Sequence, residues 1–189
     1  MTKVFGRKDC TPFNSVSESI NLKLRGSHYT CDIDGRILKM TAFIQAVPST
    51  RTQTSTFKLS MAIYEHVSDT DAGVKLAQTN TATWTQNQGV TYIGEKSIAF
   101  KSQQPILKAH TKYFLLAQGY CTAGASLYLY RRTTEETNKG IYKNLGIIPY
   151  FPLWQSPLAG EASVNHIYCI NCTFVQDTTA GKQYTSWTP

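Results

Sequence analysis

The sequence predicts an all-β fold, an antiparallel β-sandwich of about 8–10 strands in a single domain. The 189 residues are rich in Thr, Ser, Asn and Gln and include 11 Tyr, while charged residues make up only 16%. Thr and Tyr favour the pleated, half-buried surface of a sheet. Apolar and polar residues alternate with a period of two in most segments, and no long segment shows the 3.6-residue period of a helix.

Two segments show the alternation most clearly. The first, 57–65, places four apolar side chains on one predicted core face: Phe57, Leu59, Met61 and Ile63. The second, 36–47, has a predicted core face of Leu38, Met40, Ala42 and Ile44. The dipeptide Asp34-Gly35 follows a short predicted strand at 27–33 and predicts a hairpin turn between the two strands. Further strands are predicted at 20–24, 74–79, 92–100, 112–120, 125–131 and 166–175.

The chain divides into three parts. Residues 1–19 form an extended N-terminal segment, residues 20–176 form the sandwich, and residues 177–189 form a C-terminal tail. The sandwich contains a long aromatic loop at 132–165, and ordered loops of that length are often functional. The N-terminal segment contains Val4, Phe5 and Phe13 without clear alternation. We therefore expect it to pair with a neighbouring subunit in place of its own sheet.

The charge and hydropathy patterns argue against two classes of partner. The net charge is +7, but the lysines are scattered, and Arg131-Arg132 is the only basic pair in the second half of the chain. Nucleic-acid binding needs clustered cations, so a nucleic-acid partner is not expected. No stretch approaches the ~20 apolar residues of a membrane span. The first thirty residues show no secretory signal, although the composition is of the extracellular type. One resolution of this conflict is a protein that leaves its cell inside a virus particle or by lysis.

The cysteines and histidines predict neither a redox site nor a metal site. The five cysteines, an odd number at irregular spacing, are expected to be buried thiols: Cys10, Cys31, Cys121, Cys169 and Cys172. Cys169 and Cys172 form a lone CxxC within a β pattern, where residues three apart point to opposite faces, so a packing role is expected. The four histidines are not within metal-ligand spacing of one another, and the acidic turns at 32–35 and 69–71 lack EF-hand spacing.

No catalytic motif is present, so we expect a protein without enzymatic activity or cofactor. Aromatic residues are the candidate binding groups: Trp84, Tyr128, Tyr130, Tyr142, Tyr150, Phe151 and Trp154. In 126–130 the two leucines are expected to face the core, which turns Tyr128 and Tyr130 outward. Rings on a sheet face anchor protein interfaces or stack on sugars, with an interface favoured. The alternative is that segment 141–157 folds across these two rings and buries them.

Seven segments of the chain resemble a known type of domain. They are GSHYTC (26–31), ILKMTAFI (37–44), FKLSMAIY (57–64), LAQT (76–79), IAF (98–100), PILKAHTKYFLLA (105–117) and HIYC (166–169). Their order is similar to that of jelly-roll β-sandwich domains found in viral and phage virion and appendage proteins and in prokaryotic cell-surface proteins. The resemblance covers roughly residues 20–175 and implies a jelly-roll sandwich. It carries no catalytic residue.

The function expected from these features is that of a virion structural or accessory protein, such as a decoration, fibre or tail component. Such a protein acts through homo-oligomeric contacts and contacts with other virion proteins, and its location is the virion. A carbohydrate-binding or receptor-binding module of the adhesin kind is the first alternative, with a cell-surface glycan as partner and an extracellular or cell-surface location. A single jelly-roll capsid protein is the second alternative, although the chain has no basic arm.

Overall fold

The computed structural model describes residues 2–7, 10, 16–101, 104–133, 139–145, 150–158 and 162–176. Over these residues the chain forms fifteen β-strands and no helix. The strands are β1 (Thr2–Gly6), β2 (Val16–Ser19), β3 (Lys23–Thr30), β4 (Gly35–Val47), β5 (Thr54–Ser68), β6 (Asp71–Gln78), β7 (Ala82–Asn87), β8 (Tyr92–Ala99), β9 (Ile106–Leu107), β10 (Lys112–Cys121), β11 (Ser126–Thr133), β12 (Gly140–Asn144), β13 (Ala162–Val164), β14 (His166–Tyr168) and β15 (Ile170–Gln176). Among the described residues there is no helix long and apolar enough to cross a membrane.

The strands form two sheets that pack face to face. Sheet 1 has eight strands in the order β1-β15-β4-β11-β14, with β2 also paired to β11 and with β8 and β9 paired to β4. Sheet 2 has seven strands in the order β13-β12-β3-β10-β5-β6, with β7 also paired to β5. The strand pairs are antiparallel. The predicted single-domain antiparallel sandwich is therefore confirmed. The described strands outnumber the predicted ones because several of them are short and show no alternation.

The main core lies between the two sheets. The predicted inner face of β5 is confirmed, since Phe57, Leu59, Met61 and Ile63 are all fully buried there. On β4 the prediction was wrong at one position, because Ile37 enters the core and Leu38 is only half-buried. The cause is a register shift: Ile37 is opposite Phe174 and Lys39 is opposite Thr173, so Leu38 is an extra residue in the ladder.

The Asp34-Gly35 dipeptide does not form the predicted hairpin. Strand β3 lies in sheet 2 and β4 lies in sheet 1, so the chain crosses between the sheets at this point. Asp34 Oδ1 accepts a hydrogen bond from the backbone N–H of Ala109 at 2.7 Å. Gly35 lies against Phe174, where an added Cβ would come within 2.4 Å of the ring. Close packing therefore requires glycine at position 35. The Asp-Gly pattern indicates a tight connection but does not specify which strands it joins.

The N-terminal segment pairs with its own chain. Strand β1 pairs with β15, and β2 pairs with β11. Phe5 is buried and makes edge contacts with the rings of Tyr29 and Tyr113, with centroids 6.0 and 6.4 Å away. This differs from the expectation that residues 1–19 pair with a neighbouring subunit. Phe13 and the predicted tail at 177–189 lie outside the described residues.

The prediction of five free thiols was wrong for two of them. Cys10 and Cys169 form a disulfide with Cα atoms 6.0 Å apart, while Cys31, Cys121 and Cys172 are free and buried. The expected divergence of Cys169 and Cys172 is confirmed, because Cys172 lies in the main core and Cys169 lies in a separate cluster with Cys10. Because Cys169 points away from the main core, it can form a disulfide with Cys10 of the N-terminal segment. The strand pattern alone does not reveal this pairing.

Segment 150–158, here called the cover segment, packs on the outer face of sheet 2. Trp154 lies against Tyr64 with ring centroids 6.3 Å apart, and its Nε1 donates to Ser60 Oγ at 3.2 Å. Gln118, fully buried on β10, exchanges two hydrogen bonds with the backbone of Leu153. Within the aromatic loop predicted at 132–165, residues 140–144 and 162–164 therefore form β12 and β13, and residues 150–158 form the cover segment.

Candidate functional site

Trp84 lies at the half-buried margin of the main core. Its ring stacks on Phe57 with centroids 5.7 Å apart and planes 20° apart. The Lys96 ammonium lies 4.9 Å from the centre of the Trp84 ring and 4.3 Å from the centre of the Tyr92 ring. These distances are typical of cation–π contacts. The buried indole Nε1 has no hydrogen-bond partner among the described residues. The group therefore combines two aromatic rings, one cation and one unused donor.

Tyr128 and Tyr130 differ in their surroundings. Leu127 and Leu129 are fully buried in the main core, as expected for this strand. Tyr130, however, is only 5% exposed, because Phe43 lies 5.0 Å from it and the Cys10–Cys169 disulfide packs beside it. Burial raises the pKa of the Tyr130 hydroxyl. Tyr128 is half-buried. Tyr130 is therefore buried by Phe43 and the disulfide on sheet 1. The cover segment packs on sheet 2.

The other four predicted aromatic residues are spread over separate features. Tyr142 on β12 lies under the Arg25 guanidinium at 5.3 Å, and Tyr150 is 64% exposed. Phe151 lies 6.2 Å from Tyr120, and Trp154 belongs to the cover segment. Among the ring contacts of the described residues, none joins two of the seven candidates. The structure therefore does not bring them together as one aromatic platform.

Two histidines and one aspartate converge on the outer face of sheet 2. His28 is on β3, His66 is near the end of β5, and Asp69 is in the turn between β5 and β6. The Nε2 atoms of His28 and His66 lie 3.4 and 3.3 Å from the same carboxylate oxygen of Asp69. Strand β10 lies between β3 and β5, and Phe114 on it contacts both imidazole rings. One ligand atom from each of the three residues lies within 4.8 Å of the other two.

The protein environment keeps His28 neutral. Burial, together with the nearby His66, Lys139 and Lys112 and against the opposing effect of Asp69, lowers the pKa of His28 to about 4. Among the described residues its Nδ1 has no hydrogen-bond partner, although the side chain is only 6% exposed. A neutral imidazole is the form that ligates transition metals. The three side chains therefore offer two nitrogens and one oxygen, a ligand set that Zn²⁺ accepts.

Sequence reasoning did not identify this cluster. The spacing between His28 and His66 is far too long for a local motif, and the two residues meet only because β3 and β5 both flank β10. The single local signal was the pair His66 and Asp69, three residues apart across a turn. That pair alone is also explained by an ordinary hydrogen bond.

A second polar cluster links the two sheets around Glu18. The carboxylate lies 2.6 Å from Arg25 Nη1 on sheet 2 and 2.6 Å from Arg131 Nε on sheet 1. Tyr168 donates its hydroxyl hydrogen to Glu18 at 2.7 Å. Burial alone raises the pKa of Glu18, but the Tyr168 hydroxyl and the two arginines outweigh burial and lower the pKa below its ordinary value. This cluster is best explained as a structural link, because its charged members pair with one another across the two sheets.

No protein-family model matches the chain, and no curated protein matches it.

Proposed function

We propose that the chain is a non-enzymatic structural or accessory component of a virion, such as a decoration, fibre or tail protein, that acts through contacts with copies of itself and with other virion proteins. The observation that carries this proposal is the outer edge of β1. This strand is the last in sheet 1, and among the described residues no strand pairs with its outer edge. An open strand edge of this kind is a template for pairing with a second chain.

The side chains next to this edge suit a protein contact. Val4 on β1 is 44% exposed and Val175 on β15 is 40% exposed. Val4 is opposite Thr173, so Val4 and Val175 lie diagonally on the same outward face of the β1–β15 ladder. Phe5 points to the core and fixes the strand. Within the described part of the chain, the edge therefore combines backbone groups that no strand pairs with and an exposed apolar pair on a strand that is held in place.

The disulfide supports a location outside the reducing cytosol. Cys10 and Cys169 join the N-terminal segment to the residue between β14 and β15. Structural disulfides persist in oxidising surroundings, including virion and cell surfaces. A covalently held edge strand suits a particle component that must survive outside a cell.

The oligomer test uses Val4→Lys with Val90→Lys as the matched control. Val90 is also an exposed apolar residue, at 54%, but it lies in the turn between β7 and β8. We expect wild-type protein to form a closed, symmetric assembly by light scattering, Val4→Lys to dissociate it because charge blocks edge pairing, and Val90→Lys to leave it intact. A wild-type chain that stays monomeric at high concentration would contradict the proposal, as would an assembly unaffected by Val4→Lys.

The group around Trp84 favours a second candidate function, glycan binding. The Trp84 and Tyr92 rings offer aromatic surface, and the Lys96 ammonium beside them offers a polar donor, for contact with a sugar ring. A glycan array tests this candidate with wild-type protein, Trp84→Ala and, as control, Tyr150→Ala at a separate exposed ring. Hits that disappear only in Trp84→Ala would support it. An array without hits, or hits unaffected by Trp84→Ala, would exclude it.

A further inference from the structure

Two of the three separations between ligand atoms, both measured from Asp69 Oδ1, match tetrahedral zinc. Zinc–nitrogen and zinc–oxygen bonds of roughly 2.0–2.2 Å in a tetrahedron place neighbouring ligand atoms about 3.3–3.6 Å apart. The two distances from Asp69 Oδ1 to histidine Nε2 atoms are 3.3 and 3.4 Å. Both imidazoles therefore approach one oxygen at the separation that ligands of a shared ion would have.

Hydrogen bonding alone gives a weaker explanation of His28. His66 forms a hydrogen bond to Asp69 across its own turn, as turn residues often do. His28 comes from a different strand, is almost completely buried and has no partner for Nδ1 among the described residues. An apolar side chain at this position next to Phe114 would avoid the desolvation penalty. A buried polar atom without a hydrogen-bond partner in a folded protein calls for a specific explanation, such as a bound ion.

We propose that His28, His66 and Asp69 form a Zn²⁺-binding site, with Nε2 of each histidine and one carboxylate oxygen as ligands. This inference is independent of the proposed virion function. Asp69 is 45% exposed, so an ion has access from solvent, and the fourth position falls to water. Neighbouring Asp71 accepts a hydrogen bond from Ser68. With one available carboxylate and two nitrogens, the site selects against Mg²⁺ and Ca²⁺, which prefer oxygen ligands.

The ion would hold the β5–β6 turn against β3. Asp69 lies in the turn, while His28 lies on a strand two places away in sheet 2. An ion bound to both joins elements that are distant in sequence, and binding to the folded state alone stabilises that state. At a free Zn²⁺ concentration 100 times the Kd, the expected rise in Tm is about 5–10 °C for a chain of this length.

The test uses the full chain, stripped with EDTA and titrated with Zn²⁺ by calorimetry. We expect one Zn²⁺ per chain, no binding of Mg²⁺, and at least a tenfold loss of affinity in both Asp69→Asn and His66→Gln. The matched controls are Asp32→Asn and His110→Asn, at exposed positions outside the cluster, and they should bind as wild type does. Asn suits position 110 because His110 has a φ of 56°, which Asn tolerates.

Substitution with Co²⁺ gives a readout that does not depend on any variant. We expect the intense visible bands of a tetrahedral site with nitrogen and oxygen ligands and no thiolate charge-transfer band, because all three free cysteines are buried. The proposal is overturned if the stripped protein binds no Zn²⁺, or if Asp69→Asn and His66→Gln bind Zn²⁺ as tightly as the controls. A cobalt–thiolate band would also overturn it. If His66→Gln fails to fold, Asp69→Asn in the exposed turn still decides the outcome.

Discussion

Glu18 shows how one half-buried charge is stabilised by its neighbours. Its side chain is 19% exposed, and Arg25 and Arg131 approach it from opposite sheets. Removing one member of a buried ionic cluster leaves uncompensated charge, which is more destabilising than the net contribution of the cluster suggests. The two arginines therefore depend on the carboxylate for their burial.

Glu18→Gln is expected to lower the free energy of unfolding by about 3 kcal/mol at pH 7 because both arginines lose their counter-ion. The folded pKa of Glu18 is lowered, so its contribution is present above the ordinary value of 4.5 and decreases as pH falls through the folded pKa. The difference between wild type and variant should therefore shrink below about pH 4.5. Urea unfolding at several pH values measures it.

Glu95→Gln, at an exposed position on β8, is the control for Glu18. Its free energy of unfolding should stay within about 0.5 kcal/mol of wild type. A Glu18→Gln variant as stable as this control at pH 7 would show that the cluster contributes nothing.

Single residues also show what alternation predicts and what it does not. The pattern placed Leu127 and Leu129 in the core, and both are fully buried there. It placed Tyr130 on the opposite face, yet Tyr130 is buried on that face. Alternation specifies the side of the strand, whereas the cover on the outer side comes from segments distant in sequence.

At the scale of elements, the cover segment protects an edge strand. Strand β6 ends sheet 2, and its outer backbone groups are partly occupied: Leu158 N–H donates to Ala72 at 2.9 Å, and Ser156 Oγ accepts from Lys75 N–H. Covering an edge strand blocks unwanted pairing with other chains. The contrast with the open edge of β1 on sheet 1 supports the choice of β1 for assembly.

Gln118→Leu tests how firmly the cover segment is held. The variant leaves the Leu153 N–H and C=O without their partner, so the free energy of unfolding should fall by about 2 kcal/mol. The Leu153 amide should also exchange faster with solvent deuterium than in wild type. Gln176→Leu, at an exposed end of β15, is the control and should leave both quantities unchanged. Unchanged exchange at Leu153 in Gln118→Leu would contradict this account.

The cover segment could not be predicted from local patterns. Its prolines and aromatic residues predicted an irregular, functional loop, because no period of two or 3.6 is present in it. Its position depends on hydrogen bonds between the Gln118 side chain and Leu153. Nothing in the sequence distinguishes this glutamine from exposed ones. Only the three-dimensional pairing of β10 with its neighbours brings this amide next to Leu153.

At the scale of the whole molecule, the sequence patterns predicted the sandwich but neither its strand connections nor its disulfide. The alternation in β4 and β5 requires two sheets with facing apolar sides, and the two strands lie in different sheets. Which strands pair depends on how the apolar faces of all the strands fit together. Asp34-Gly35 shows this, because the hairpin predicted there does not form and β3 and β4 lie in different sheets. The candidate zinc ligands were missed for the same reason, since they lie on separate elements.

The Cys10–Cys169 disulfide closes a loop with a sequence separation of 159 residues. Cys10→Ser should lower the free energy of unfolding by about 3–5 kcal/mol, because the unfolded chain regains the freedom that the cross-link removes. Denaturant unfolding measures the change. Cys121→Ser is the control for the loss of a buried sulfur that is not cross-linked. Equal effects of the two substitutions would show that the cross-link itself adds no stability.

The same cross-link makes most of the polypeptide a covalent ring. A protease that cuts one peptide bond anywhere between Cys10 and Cys169 opens the ring but leaves both fragments attached through sulfur. A cut chain should therefore migrate as one band on a denaturing gel without reductant and as two bands after reduction. A single cut within the ring therefore releases no piece of the molecule while the disulfide is intact.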